Sequence, residues 1–175
     1  MDSLRNLETM VGSWYKGIPH LPKNGQKWLA ENAWWLTLVG VILGTLGILS
    51  VLLGTLVAGT LLAGYGGPVG AAIGGLAFMI VAVSLAFAIV DMILSAFAIA
   101  PLKAMQKRGW SLLFLVMLVN VLSILVSFLF QLNLFSLIWG LLFAAAGGYF
   151  LFEVRDYFHL ERSAKKAPEQ RAKEA

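Results

Sequence analysis

The sequence predicts an all-α polytopic membrane protein, a four-transmembrane-helix bundle preceded by an amphipathic helix. Three observations predict it. Hydrophobic residues make up 59% of the 175 and charged residues 13%, where a soluble domain is roughly half apolar and about a quarter charged. The apolar residues fall in long blocks, with no Asp, Glu, Lys, Arg or His between Ala33 and Val90. Every Lys and Arg lies outside those blocks. Such a chain has too little polar surface to face water on all sides. The composition therefore argues against a soluble enzyme, a nucleic-acid-binding domain or a disordered chain, and the lipid bilayer is the expected solvent. The absence of cysteine excludes disulfides, thiolate metal sites and a catalytic Cys.

Residues 1–32 form a cytoplasmic and interfacial segment. Asp2 or Ser3 is placed to cap a short helix. Leu4, Leu7, Val11 and Trp14 fall on one stripe at spacings of three and four, opposite Arg5, Glu8, Thr9 and Lys16. That stripe suits the cytoplasmic leaflet, with docking onto a protein as the rival reading. Pro19 and Pro22 then break the helix, and a new one begins by Lys27. Trp28, Trp34 and Trp35 crowd its start and Trp110 opens a later span, all at headgroup level, where an apolar ring with a polar N–H is favoured. No apolar core of a secretory signal precedes them, so the mature chain is expected to begin near Met1.

Residues 33–152 form the transmembrane domain, with spans at 33–63, 69–100, 110–130 and 134–152. A helix needs about 20 residues to cross the hydrocarbon, and the first two blocks exceed that by about ten. They are expected to tilt, or to stand out of the far side as a Gly/Ala-rich hairpin. Residues 101–109 read as a polar loop, and 153–175 as a basic tail.

The basic residues orient the spans. Arg5, Lys16, Lys23 and Lys27 precede the first, and Lys103, Lys107 and Arg108 lie in the central loop. The rest follow the fourth, and the turns at 64–68 and 131–133 carry none. The positive-inside rule places both termini in the cytoplasm. This also accounts for the formal charge of +4 without nucleic acid.

Two features stand out within the spans. Gly40, Gly44, Gly47 and Gly54 share one face of the first, Gly70 and Gly74 lie in the second, and Gly140 and Gly148 in the fourth. Small residues let helices approach closely, so these read first as packing within the chain and second as a homo-oligomer interface. Asp91 is the only charge in the second block. A carboxylate at the bilayer centre costs roughly 2.5–3.5 kcal/mol on insertion scales and usually faces a partner or cavity. Ser84, Asp91 and Ser95 share a face of the second span, as Asn120, Ser123 and Ser127 do of the third, at similar depth from the central loop. A polar seam is expected there. It reads first as neutral hydrogen-bonding glue and second as a proton or cation site.

No GxSxG, HExxH, P-loop or intramembrane carboxylate pair occurs, so no enzyme, metal or cofactor is expected. His20 and His159 read as surface residues, and Glu153, Arg155, Asp156, Glu161 and Arg162 as a solvated extension of the fourth helix. Trp139 reads as packing inside its span.

The segments Gly17-Ile18-Pro19-His20-Leu21-Pro22-Lys23, Gln26-Lys27-Trp28-Leu29, Pro101-Leu102-Lys103-Ala104-Met105, Lys107-Arg108-Gly109-Trp110 and Gly148-Tyr149-Phe150-Leu151-Phe152-Glu153-Val154-Arg155 resemble those of a group of small, uncharacterised bacterial four-span integral membrane proteins. The resemblance implies a bacterial inner membrane and four spans, and no functional residue. The expected role is a non-enzymatic structural or accessory membrane component, whose partners are the lipid bilayer and either a second copy or another membrane protein. The alternative is a small oligomeric transporter or channel using Asp91.

Overall fold

The computed structural model describes residues 2–15 and 17–159. The Leu4 and His159 side chains and residues 160–175 of the basic tail, with Glu161 and Arg162, lie outside the described part. The chain forms α1 (Asp2–Tyr15), α2 (Lys23–Tyr65), α3 (Gly67–Lys103), α4 (Lys107–Gln131), α5 (Leu134–Glu153) and a closing 3₁₀ turn (Arg155–His159). The described residues hold no strand. The four helices α2 to α5 are each long and apolar enough to cross a membrane. The protein is therefore a multi-pass, all-helical membrane protein.

Local chemistry sets the boundaries. Pro22 holds an extended backbone and α2 starts directly after it, several residues before the apolar run. Gly66 ends α2, Gly67 takes a left-handed φ of 57°, and Pro68 occupies the first turn of α3, where its missing N–H costs no helical bond. At the other end α3 runs through Pro101 to Lys103, so the expected loop at 101–109 shrinks to three residues around Met105, whose φ is 50°. Gly109 permits this tight return. A Cβ there would stand 2.6 Å from the Leu102 backbone nitrogen. Leu132, with φ 49°, turns α4 into α5, and the Asn133 side chain caps α5 by accepting from the Ser136 N–H at 3.1 Å.

The helices pack in chain order, α2 on α3, α3 on α4 and α4 on α5. This leaves an open bundle with a cleft between α2 and α5. One face of the molecule carries α1, the start of α2, the α3–α4 loop and the end of α5. It is called here the terminal face, and the opposite one, with the turns at Gly66 and Leu132, the turn face. The α3 helix has 37 residues against 25 in α4. At 1.5 Å per residue the α2–α3 hairpin stands about 18 Å beyond the α4–α5 turn.

Burial concentrates at the terminal face. Ala30, Ala33, Ala98, Leu102, Trp110, Phe114, Leu151, Val154 and Phe158 form one buried cluster with Val11 of α1. Toward the turn face the helices splay and expose large apolar side chains. Lipid tails are as apolar as leucine, so no solvent force drives those faces together.

Candidate functional site

Asp91 on α3 lines a cavity of about 430 Å³ between α2, α3 and α4. Ser84 and Ser95 join it from α3, Thr37 from α2, and Asn120 and Ser123 from α4. The expected polar seam is thus gathered around one space, with Ser127 on an adjoining cavity that shares Asn120 and Ser123. The expected glue bonds are not formed. Asp91 Oδ1 is buried and has no hydrogen-bond partner among the described residues. The Ser84 hydroxyl donates to Ile80 O at 3.1 Å on its own helix, and α2 reaches α3 nearby by Thr45 donating to Met92 Sδ at 3.0 Å. Among the described residues, Asp91 is the only titratable side chain on the cavity wall. A second, mostly apolar space of about 380 Å³ fills the cleft, between Leu29 and Thr37 of α2, Asn120 of α4, and Phe143 and Gly147 of α5.

The glycine faces divide. Gly70 and Gly74 face α2 closely, Gly140 faces Ile124 of α4, and Gly148 faces Tyr15 and Met117. Gly40, Gly44, Gly47 and Gly54 have no atom of another residue in front of them within 4 Å of an added Cβ, so they do not pack the two hairpins together. The reason is a rotation of one residue. The partly buried row of α2 is Val41, Thr45, Ile48, Leu52, Thr55 and Gly59, which faces α3, while in the glycine row beside it Gly40 and Gly44 border the Asp91 cavity and Gly47 and Gly54 are open.

A second cluster at the terminal face escaped the sequence reading. Glu153, expected in a solvated extension, is buried with its side chain 4% exposed. It accepts from His20 Nδ1 at 2.6 Å, the Leu21 N–H at 3.0 Å and Gln26 Nε2 at 2.7 Å. Three converging donors suit an ionised, acceptor-only carboxylate. They tie the proline-broken segment to the end of α5. Tyr149 and Tyr157 reinforce the tie by donating to Pro19 O at 2.6 Å and Lys23 O at 3.2 Å. His20 is therefore exposed but engaged. The available signal was the position of Glu153, directly after an apolar span, where a carboxylate needs partners.

The same chemistry docks α1. Arg155 pairs with buried Glu8 and lies over the Trp110 ring, 5.6 Å from its centroid. Gly12 faces the Phe152 ring, and Tyr15 stacks on it at 5.4 Å and donates to Ala145 O at 3.2 Å. The pairings 8 with 155, 12 with 152 and 15 with 145 run antiparallel, so α1 leans along α5 toward the membrane interior. Its docked face is Glu8, Val11, Gly12 and Tyr15. Val11 is therefore buried in protein and does not face lipid, because the Glu8–Arg155 pair sets the rotation of the helix. Leu7 and Trp14 remain exposed. Among the other expected interface residues, Trp28 and Trp35 are exposed, and Trp34 lies beneath Lys103 Nζ, 5.1 Å from its centroid. Trp110 is a correction. It is 1% exposed, stacks on Phe114 and donates to Leu151 O at 2.8 Å, since its N–H finds a carbonyl inside the bundle. Trp139 is exposed on α5, against Phe135 and Phe143 of its own helix.

No family model, curated protein or solved structure matches the chain. What the fold and site define is a class, that of multi-pass helical membrane proteins with an open cleft and a cavity that gathers polar side chains around Asp91.

Proposed function

We propose that this protein is a non-enzymatic structural or accessory component of a bacterial inner membrane, working by lateral association with another membrane-embedded chain through α2. The carrying observation is the uncovered glycine row of α2, with Gly47 and Gly54 open and Gly40 and Gly44 bordering the Asp91 cavity, beside a cleft that α5 leaves unclosed. Close helix approach is what such a row permits. The basic residues of the terminal face support its placement in the cytoplasm. The test is the protein mass of the detergent-solubilised complex by light scattering. The proposal expects a mass above the single-chain 19.0 kDa, falling to it when Gly47 and Gly54, which meet no neighbour within 4 Å, are both changed to Leu. A wild-type chain that is already single and brings no other chain with it overturns the proposal.

One observation favours a second reading, a transporter-type role with Asp91 as a proton site. The cavity leaves Asp91 Oδ1 without a protein partner, which a purely structural hydrogen-bonding role does not explain.

A further inference from the structure

Beyond Ser95 and Thr37, which flank Asp91 on the terminal side, the polar groups continue as a row only toward the turn face. Asn120, Ser123, Ser127 and Gln131 follow at spacings of three and four, so they share one face of α4. Asn120 and Ser123 line the Asp91 cavity and also a cavity of about 160 Å³, which continues past Ser127 to Gln131, Asn133 and Ser136 at the turn face. From Asn120 to Gln131 the row spans about 16 Å at the helical rise. Toward the terminal face the Asp91 cavity adjoins, at Thr37, Leu113 and Asn120, the mostly apolar cleft that reaches Leu29 and Val154, a lining that holds no polar row among the described residues and does not favour water. There Ala98, Leu102, Trp110 and Phe114 are buried, and Gly109 closes directly on the Leu102 backbone.

We propose that this row is a one-sided water path that carries protons from the turn face to Asp91 and ends there. Both cavities exceed the roughly 30 Å³ share of a water molecule several-fold, and the hydroxyls and amides among their lining residues supply the partners that water needs. Water is also the donor that Asp91 Oδ1 lacks. Among the described residues the walls contributed by α2 and α4 carry no other titratable or charged group, so a proton arriving by water meets Asp91 alone. The step is a plain transfer. One O–H bond of a hydrated proton breaks, one forms at the carboxylate, and the proton returns by the same side. The use of this path rests on the second reading above, whereas the access itself rests on the cavities and the apolar lining of the terminal side.

The chain has no cysteine, so single cysteines introduced in sealed vesicles report access directly. Tyr65→Cys and Lys107→Cys mark the turn and terminal faces. With a membrane-impermeant cationic thiol reagent, Ser123→Cys and Ser127→Cys are expected to react from the turn face at least ten-fold faster than the outward-facing Leu122→Cys and Leu125→Cys, and not from the terminal face. Equal rates, or reaction from the terminal face, overturn the path. The proton is tested on the wild-type chain with dicyclohexylcarbodiimide, which adds to a protonated carboxyl, read by mass spectrometry with Asp91→Asn as the blank. Labelling is expected to follow the pH of the turn-face bath alone. Dependence on the terminal-face bath, or on neither, overturns the proton assignment. The second reading fails separately, if Asp91→Asn keeps full cellular phenotype while the cysteines still report access.

Discussion

Replacing Glu153 by Leu removes the acceptor on which three donors of the 20–26 segment converge. A hydrogen bond to a charged group is worth roughly 1.5–3 kcal/mol, but an exposed donor regains water when its partner is lost. His20 is 65% exposed and recovers most of its share. Gln26 and Leu21 are half-buried and recover less. The net loss for Glu153→Leu is thus about 2–4 kcal/mol, which lowers Tm by about 5–15 °C in a chain of this size. Glu153→Gln keeps one acceptor oxygen, and its amide can donate to His20 in the other tautomer. It is expected to lose less than half as much. The assay is thermal unfolding of the detergent-purified protein, with limited proteolysis between Gly17 and Lys23 as a local readout. A Leu variant that melts with the wild type and resists protease equally would refute the idea that Glu153 anchors this segment.

Two further predictions concern the glycines and Asp91. Gly109→Ala sets a Cβ against the backbone at Leu102 and Pro101 and is expected to destabilise by about 1–3 kcal/mol, whereas Gly47→Ala meets nothing and should be neutral or gain up to about 1 kcal/mol of helix propensity; melting temperatures compare them. Asp91→Asn is expected to insert and melt like the wild type, and Asp91→Leu to shift stability by at most about 2 kcal/mol, the upper range for hydrogen bonds within membranes. Loss of phenotype in a stable Asp91→Asn chain is the outcome that an ionisable role requires.

The spans were legible because charge is nearly absent from the long apolar blocks and gathers at the helix ends, Asp91 apart. The excess length of the first two blocks likewise foretold the long α2–α3 hairpin. The rotation of each helix was not legible. In water the buried face is the apolar one, but in lipid both faces are apolar, so nothing in α2 distinguishes the glycine row from the neighbouring row that meets α3. The face of α1 was misread for a related reason. Its apolar stripe pointed to Leu7, Val11 and Trp14, while the Glu8–Arg155 pair, which joins residues far apart in sequence, turned it by about one position. The polar seam was found by depth alone, since Asp91 and Asn120 lie similar distances from one loop. Its hydrogen bonding depended on helix separations that no spacing reveals.

The central claim is a membrane-spanning bundle whose two turns lie on the face opposite the α3–α4 loop. It is tested most directly by the sidedness of Tyr65→Cys and Lys107→Cys toward an impermeant thiol reagent in sealed cells and inverted vesicles. Tyr65 is 90% exposed at the end of α2, and Lys107 is exposed at the start of α4, so both thiols are accessible where water reaches them. The account predicts reaction from opposite sides, with Lys107→Cys labelled only from the cytoplasm. Labelling of both from the same side would contradict it.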